Sequence, residues 1–248
     1  TFFNGQTHAG TLVGTFVPGD LAVIKAALPA GVKPAVFGDS SKLQVGDIAL
    51  AIGNPLGLAS SVTDGIISFN GRTVGEGNGV VLPDTVQTSA PINPGNSGGA
   101  LVGIDSEVIG IPTLAATDQQ LGGGSAPGIG FAIPSNTVKQ IASQLVSSGK
   151  VTNSGRAALG ISGATASDAS GNPIGVIVTQ VESGGPADKA GIQPGDLVTS
   201  VAGQPTPTLA ALQDVLAGQS PGASVPVMVT TASGAAKTVT VVLGTLAG

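Results

Sequence analysis

The chain has 248 residues, enough for two compact domains. Hydrophobic residues make up 41% but aromatics only 2%, so its cores must be built from Val, Ile, Leu and Ala. A formal net charge of −5 argues against a nucleic-acid partner and against an anionic membrane surface. With no cysteine and a single histidine there is no disulfide framework, no thiol nucleophile and no basis for a metal or cofactor site, and no apolar run is long enough to span a membrane as a helix.

Residues 1–26 read as strands, with 11–16 and 21–25 on either side of the turn signal Pro18-Gly19-Asp20. A turn-rich stretch over 37–47 leads into the short apolar run 48–52. Asn54-Pro-Leu-Gly57 is a loop, 61–68 is a strand and 75–79 is a mobile polar loop. Residues 85–88, 107–111 and 130–133 are further strands, the last two separated by the glycine-rich 121–130. Many short strands with frequent glycine and proline turns predict a barrel or sandwich. A helix follows. Ser135 is a natural N-cap, Val138, Ile141, Ala142 and Leu145 share one face, and Gly149 is the stop.

Composition then divides the chain into a first domain over 1–150, a linker over 151–157 and a small mixed domain over 158–248. The second domain reads as a strand at 175–181, a short helix at 186–190 and a strand at 197–201. A helix capped by Thr206 carries Leu209, Leu212 and Leu216 on one face, and 225–231 and 237–243 form a closing hairpin.

The chemistry concentrates at residues 92–101 (INPGNSGGAL). One serine, Ser97, stands among turn-forming residues, and glycines on both sides let consecutive N–H groups converge beside its hydroxyl. A serine attacks a carbonyl only with a base, and the base needs an orienting group.

Residues 38–46 (GDSSKLQVG), 51–58 (AIGNPLGL), 62–68 (VTDGIIS), 87–101 (QTSAPINPGNSGGAL) and 129–134 (IGFAIP) together resemble the HtrA/DegP family of trypsin-like serine proteases. Residues 159–161 (LGI) and 185–198 (GPADKAGIQPGDLV) resemble the PDZ domain that follows in that family. The resemblance implies a mostly β fold: a chymotrypsin-like β-barrel protease domain, truncated at its N-terminus, followed by an α+β PDZ domain. It makes Ser97 the nucleophile and Asp20, in the stretch DLAVIK, the triad carboxylate. The loop Gly95-Asn96-Ser97 becomes the oxyanion hole through the N–H groups of Gly95 and Ser97. The strand end Ile111-Pro112-Thr113-Leu114 becomes the segment that pairs with extended substrate. Leu159, Gly160 and Ile161 become the carboxylate-binding turn of the PDZ domain, with Leu212 and Val215 lining its apolar pocket. Pro112 stands where the family has Asn, and Ser89 where it has Asp. The family's histidine segment is absent. His8, twelve residues before Asp20, lacks its sequence context and reads as a surface residue.

The expectation is therefore a serine endopeptidase that degrades unfolded or misfolded proteins, with a PDZ domain for substrate C-termini. By the same resemblance it works outside the cytoplasm as a homo-oligomer, often a trimer, and the 248 residues are a piece of a longer protein. The rival is an inactive peptide-binding or chaperone-like relative that has lost its base.

Overall fold

The computed structural model describes residues 1–2, 4–54, 61–75, 81–93, 95–118 and 124–248. The expected loops at 54–57 and 75–79 lie largely outside these residues. Two compact units emerge, one from residues 1–76 and 82–151 and the other from residues 77–81 and 152–248.

The first unit opens with β1 (Gly10–Phe16) and β2 (Leu21–Ala26), an antiparallel pair joined by a 3-10 turn over Val17–Gly19. Among the described residues, those before Gly10 do not join a strand. Six strands then close a barrel: β3 (Ile48–Gly53), β4 (Ser61–Gly75), β5 (Val81–Thr88), β6 (Ala100–Gly103), β7 (Val108–Asp118) and β8 (Gly124–Pro134), in the order β3-β4-β5-β8-β7-β6. On β3 the period-2 alternation sends Ala49 and Ala51 inward, to meet Ile67, Val86, Leu101 and Ala132. Small inward residues suit the narrow interior of a six-stranded barrel. They leave Ile48 and Ile52 facing outward, opposite Ile66 and Val62 of β4. Strands β4, β7 and β8 extend further than the sequence suggests. Residues 124–130 in particular belong to β8, because ladder bonds to β7 override the poor strand propensity of glycine.

The helix α1 (Ser135–Ser148) buries Val138, Ile141 and Leu145 and ends at Gly149, whose φ is 71°. Ser135 does not cap it. It is the first helical residue, and its hydroxyl donates to Gly38 O at 2.9 Å. The cap comes from elsewhere: Ser40 Oγ accepts the Asn136 N–H at 3.2 Å.

The second unit contains, in order, β9 (Ala157–Ala158), β10 (Ile161–Ser167), β11 (Pro173–Val181), α2 (Pro186–Lys189), β12 (Leu197–Val201), β13 (Gln204–Pro205), α3 (Leu209–Ala217), β14 (Ser224–Thr230), β15 (Ala236–Val242) and β16 (Gly244–Thr245). The main sheet runs β10-β11-β12-β14-β15, with β13 on β12, and β9 pairs with β16. Val176, Val178, Val198, Val227, Val229 and Val241 fill its core. Fully burying a side chain of this size is worth about 1.5–3 kcal/mol, so aliphatic packing is a major stabilising contribution to the unit. The segment expected as a linker is tied down: Ser154 Oγ donates to Leu246 O at 2.6 Å and Leu246 N to Arg156 O at 2.7 Å. Thr206 is fully buried and does not cap α3. Thr208 does, accepting the Ala211 N–H at 3.0 Å.

One polar clip fixes α1 to the segment before the barrel. Asp39 accepts hydrogen bonds from Ser41 Oγ at 2.7 Å, Asn136 Nδ2 at 2.7 Å and Ser41 N at 3.1 Å, while Lys139 Nζ reaches Gly38 O at 3.0 Å. The bonds from Ser41 and Asn136, with a smaller contribution from Lys42, hold the Asp39 carboxyl well below the usual carboxylate range. Because the folded pKa lies below the unfolded one, the contribution is complete above about pH 4 and is lost as pH falls through the folded value. Thermal melts of wild type and Asp39→Asn between pH 7 and pH 2 should therefore show wild type more stable at neutral pH, with the gap closing in acid. A gap independent of pH would assign the clip's effect to something other than the carboxylate.

Candidate active site

The serine loop rests backbone on backbone against the end of β3. A Cβ on Gly99 would stand 2.1 Å from Ile52 O, and one on Gly53 would stand 2.6 Å from Asn96 Cα, so only glycine fits at these two contacts. The loop's backbone is tethered. Gly95 O accepts the Asn54 N–H at 3.2 Å, Asn96 O accepts the Gly99 N–H at 2.9 Å, and Pro112 O accepts the Gly98 N–H at 2.8 Å. A peptide unit is planar and trans, so anchoring the Asn96 carbonyl turns the Ser97 N–H to the opposite side. Among the described residues, the N–H groups of Gly95 and Ser97 donate to no protein acceptor. Asn96 differs from the expectation for an oxyanion residue. Its N–H is engaged by Asn93 O at 2.9 Å, and its buried side chain donates from Nδ2 to Pro91 O at 3.2 Å. It builds the loop and presents no donor.

Ser97 is exposed, and its hydroxyl donates to Thr113 O at 2.7 Å. The Thr113 hydroxyl donates in turn to Asp20 Oδ2 at 2.5 Å. Ser97 and Asp20, 77 positions apart, thus share one residue as a neighbour. Thr113 can serve both because it is a β-bulge: Pro112 pairs with Ala132 and Leu114 with Phe131, and the register shifts between them. Bulges re-aim a side chain out of the ladder. Asp20 caps the 3-10 turn in the left-handed region, at φ 51° and ψ 40°, where Asp is among the few tolerated residues other than glycine.

The two departures from the family pattern have local explanations. Pro112 is buried, needs no N–H in this setting, and offers its carbonyl to Gly98. Ser89 extends the contact of β5 with β4, donating its N–H to Ile66 O and accepting the Ile66 N–H at its hydroxyl, both at 3.0 Å. His8 is not brought to the serine. Its Nδ1 lies 2.6 Å from Ala27 O, and its ring meets Phe2 edge-on at a centroid distance of 5.5 Å.

In the second unit, Leu159 O accepts the Ala187 N–H and Gly160 O accepts the Glu182 N–H, both at 2.9 Å. With both carbonyls turned toward the unit, the N–H groups of Gly160 and Ile161 face the other way, an arrangement suited to an anion. Gly160 has φ 70°. Among the described residues the adjoining β10 is an edge strand, paired with β11 alone. Leu212 and Val215 are 2% and 9% exposed and belong to the core, so they can floor a groove beside β10 but do not project into one.

The role of Thr113 as the common neighbour was not legible beforehand, since the sequence marks it only as part of a strand end. The Pro-Thr pair is the one available hint, because proline in a strand often accompanies a bulge.

Residues 1–111 match the trypsin-like peptidase domain, and residues 177–230 match the PDZ domain. Serine protease PepD of Mycobacterium tuberculosis is 40% identical over 254 residues, covering 98% of this chain and 53% of that protein. Periplasmic serine endoprotease DegP of Escherichia coli is 41% identical over 217 residues, covering 85% and 44%. The chain thus spans about half the length of the curated relatives it matches. Among solved structures, an HtrA-type protease AlgW with decapeptide matches at 33% identity and a TM-score of 0.60, covering 98% of this chain and 74% of that one. A serine endoprotease from Yersinia pestis matches at 33% identity and a TM-score of 0.57, covering 98% and 78%. Taken with a serine loop seated on a closed barrel and a separate unit carrying an outward-facing Leu-Gly-Ile turn, these relationships place the chain in the HtrA/DegP family of trypsin-type serine proteases with a PDZ domain.

Proposed function

We propose that the whole protein is a serine endopeptidase of unfolded or misfolded polypeptides, working outside the cytoplasm as a homo-oligomer. The observation that carries this reading is the convergence of Ser97 and Asp20 on Thr113, beside a loop whose Gly95 and Ser97 N–H groups remain available. In the proposed reaction Ser97 Oγ attacks the scissile carbonyl carbon while an imidazole takes its proton. The carbonyl oxygen becomes an oxyanion held by Gly95 and Ser97 N–H. The imidazolium then protonates the leaving amine as the C–N bond breaks, and water, deprotonated by the same imidazole, releases the acyl group. Asp20 orients the imidazole, and Thr113 orients Asp20. The imidazole is assigned to a segment outside these 248 residues, because His8 is committed to Ala27 O. Strand end 111–114 pairs with extended substrate, as the bulge and the accessible serine support.

The PDZ unit is assigned the capture of substrate C-termini. A peptide adds as a strand to the free edge of β10, with its terminal carboxylate on the Gly160 and Ile161 N–H groups. The periplasmic designation of DegP, and the peptide in the AlgW structure, support the location and the ligand class.

For the protease reading, a protein beginning at Thr1 should cleave unfolded casein on the order of ten-thousand-fold more slowly than the full-length protein, and Ser97→Ala should abolish cleavage in the latter. Robust cleavage by the short form that disappears in His8→Ala would instead make His8 the base. For the PDZ reading, titrating the chain with a C-terminal peptide as free acid and as amide should show binding weakened by at least about tenfold, ~1.4 kcal/mol, in the amide. Equal affinities would remove the carboxylate assignment and leave recognition of internal segments.

A further inference from the structure

The strand β10 and the helix α3 are joined by a hydrogen bond that neither element needs for its own regularity. Thr165 Oγ1, on β10, accepts the Leu209 N–H at 3.0 Å. Leu209 is the first residue of α3, and the N-cap Thr208 uses its own hydroxyl on Ala211 N. The first N–H groups of a helix lack partners within it, so Thr165 supplies a second cap from a different element.

The position of this bond matters because it lies on the course that an added strand would follow. Side chains alternate along a strand, and each residue advances it by about 3.3 Å. On β10, Ile161, Gly163 and Thr165 share one face. A ligand running antiparallel to β10, with its carboxylate at the Gly160–Ile161 turn, places its last residue beside Ile161, its third from last beside Gly163 and its fifth from last beside Thr165. At this end Ile161 packs against the aliphatic core, and β10 forms the edge of its sheet. At Thr165 the 3.0 Å bond ends on a hydroxyl carried by Cβ, so the first turn of α3 is held directly against β10. An inserted strand needs about 4.8 Å for itself, plus room for its side chains. The near-complete burial of Leu212 and Val215 agrees with a helix drawn down onto the sheet.

We propose that Thr165 is a length-selecting latch of the PDZ groove. It leaves room for about the last three residues of a ligand, and a fourth and fifth residue can add only after Leu209 is released. The proposal rests on the reading of the Leu159–Ile161 turn as the carboxylate site. The latch makes the unit a reader of chain ends, for which a long unstructured tail gains little over a tripeptide.

The test is calorimetric titration of the chain with acetyl-Ala-Val-Val and acetyl-Gly-Ser-Gly-Ser-Ala-Val-Val, as wild type, Thr165→Val and Thr165→Ser. Wild type and Thr165→Ser, which keeps the hydroxyl, should bind both peptides within about twofold. Thr165→Val should bind the heptapeptide at least about fivefold more tightly than wild type, with the tripeptide unchanged. Hydrogen exchange of the Leu209 amide should be slow in free wild type, unchanged by the tripeptide, faster with the heptapeptide, and about tenfold faster in ligand-free Thr165→Val. Unchanged exchange in that variant, or a heptapeptide preference equal in wild type and Thr165→Val, would overturn the latch. The amide form of the tripeptide separates the two ideas. If acid and amide bind alike while the exchange results hold, the carboxylate site is wrong and the strand-to-helix closure stands.

Discussion

The hydrogen bond from Thr113 to Asp20 joins segments 93 positions apart, and the bond from Ser97 to the Thr113 carbonyl joins it to the serine loop. Both depend on one irregularity in β7. Were Thr113 in register between Pro112 and Leu114, it could not offer its carbonyl to Ser97 and its hydroxyl to Asp20 together. The proline beside it supports the bulge by contributing no N–H to the ladder. The neighbouring Gly98–Pro112 bond then ties the loop to the same strand end, so one local defect sets the placement of Ser97, Asp20 and the serine loop.

The composition follows from the same demand for close approach. A barrel whose inward positions on β3 are Ala49 and Ala51 brings backbones near one another, and Gly53 and Gly99 extend that proximity to the serine loop. Aromatic side chains would not fit these contacts. The stabilising area is recovered from many aliphatic residues, each contributing a little, in place of a few large ones. The exposed Ile48–Ile66 and Ile52–Val62 pairs are the other side of this arrangement, since a strand with small residues inward carries its larger ones outward.

Much of the architecture was legible because it depends on local rules. The stripe Val138, Ile141, Leu145 and the stop at Gly149 specify α1, and the glycines around Ser97 specify a loop that presents N–H groups. What could not be read depends on partners distant in sequence. Ser135 has the chemistry of an N-cap but gives its hydroxyl to Gly38, while the capping oxygen comes from Ser40, nearly a hundred residues away. Thr206 and Thr208 are equally good caps on paper, and only the burial of the first decides between them. Residues 124–130 look like a loop by propensity and become strand because β7 pairs with them. Asn96 sits in the middle of the oxyanion sequence, yet its N–H is consumed by the turn that forms the loop.

The serine loop and the Leu159–Ile161 turn, though unrelated in sequence, direct their donors by the same means. In each, carbonyl groups are anchored by backbone N–H groups: Asn54 on Gly95 O and Gly99 on Asn96 O at the serine, and Ala187 on Leu159 O and Glu182 on Gly160 O at the turn. Because each peptide unit is rigid, fixing the oxygen fixes the direction of the N–H. Backbone donors do not titrate, and their dipoles are already oriented when an anion forms or arrives, so no reorganisation is needed at that moment. On the proposed reading, a chain with few cations and a net negative charge in this way holds an oxyanion at one site and a carboxylate at another. On that reading, anion recognition depends on the tethers behind the N–H groups, which makes the anchoring residues as consequential as the donors themselves.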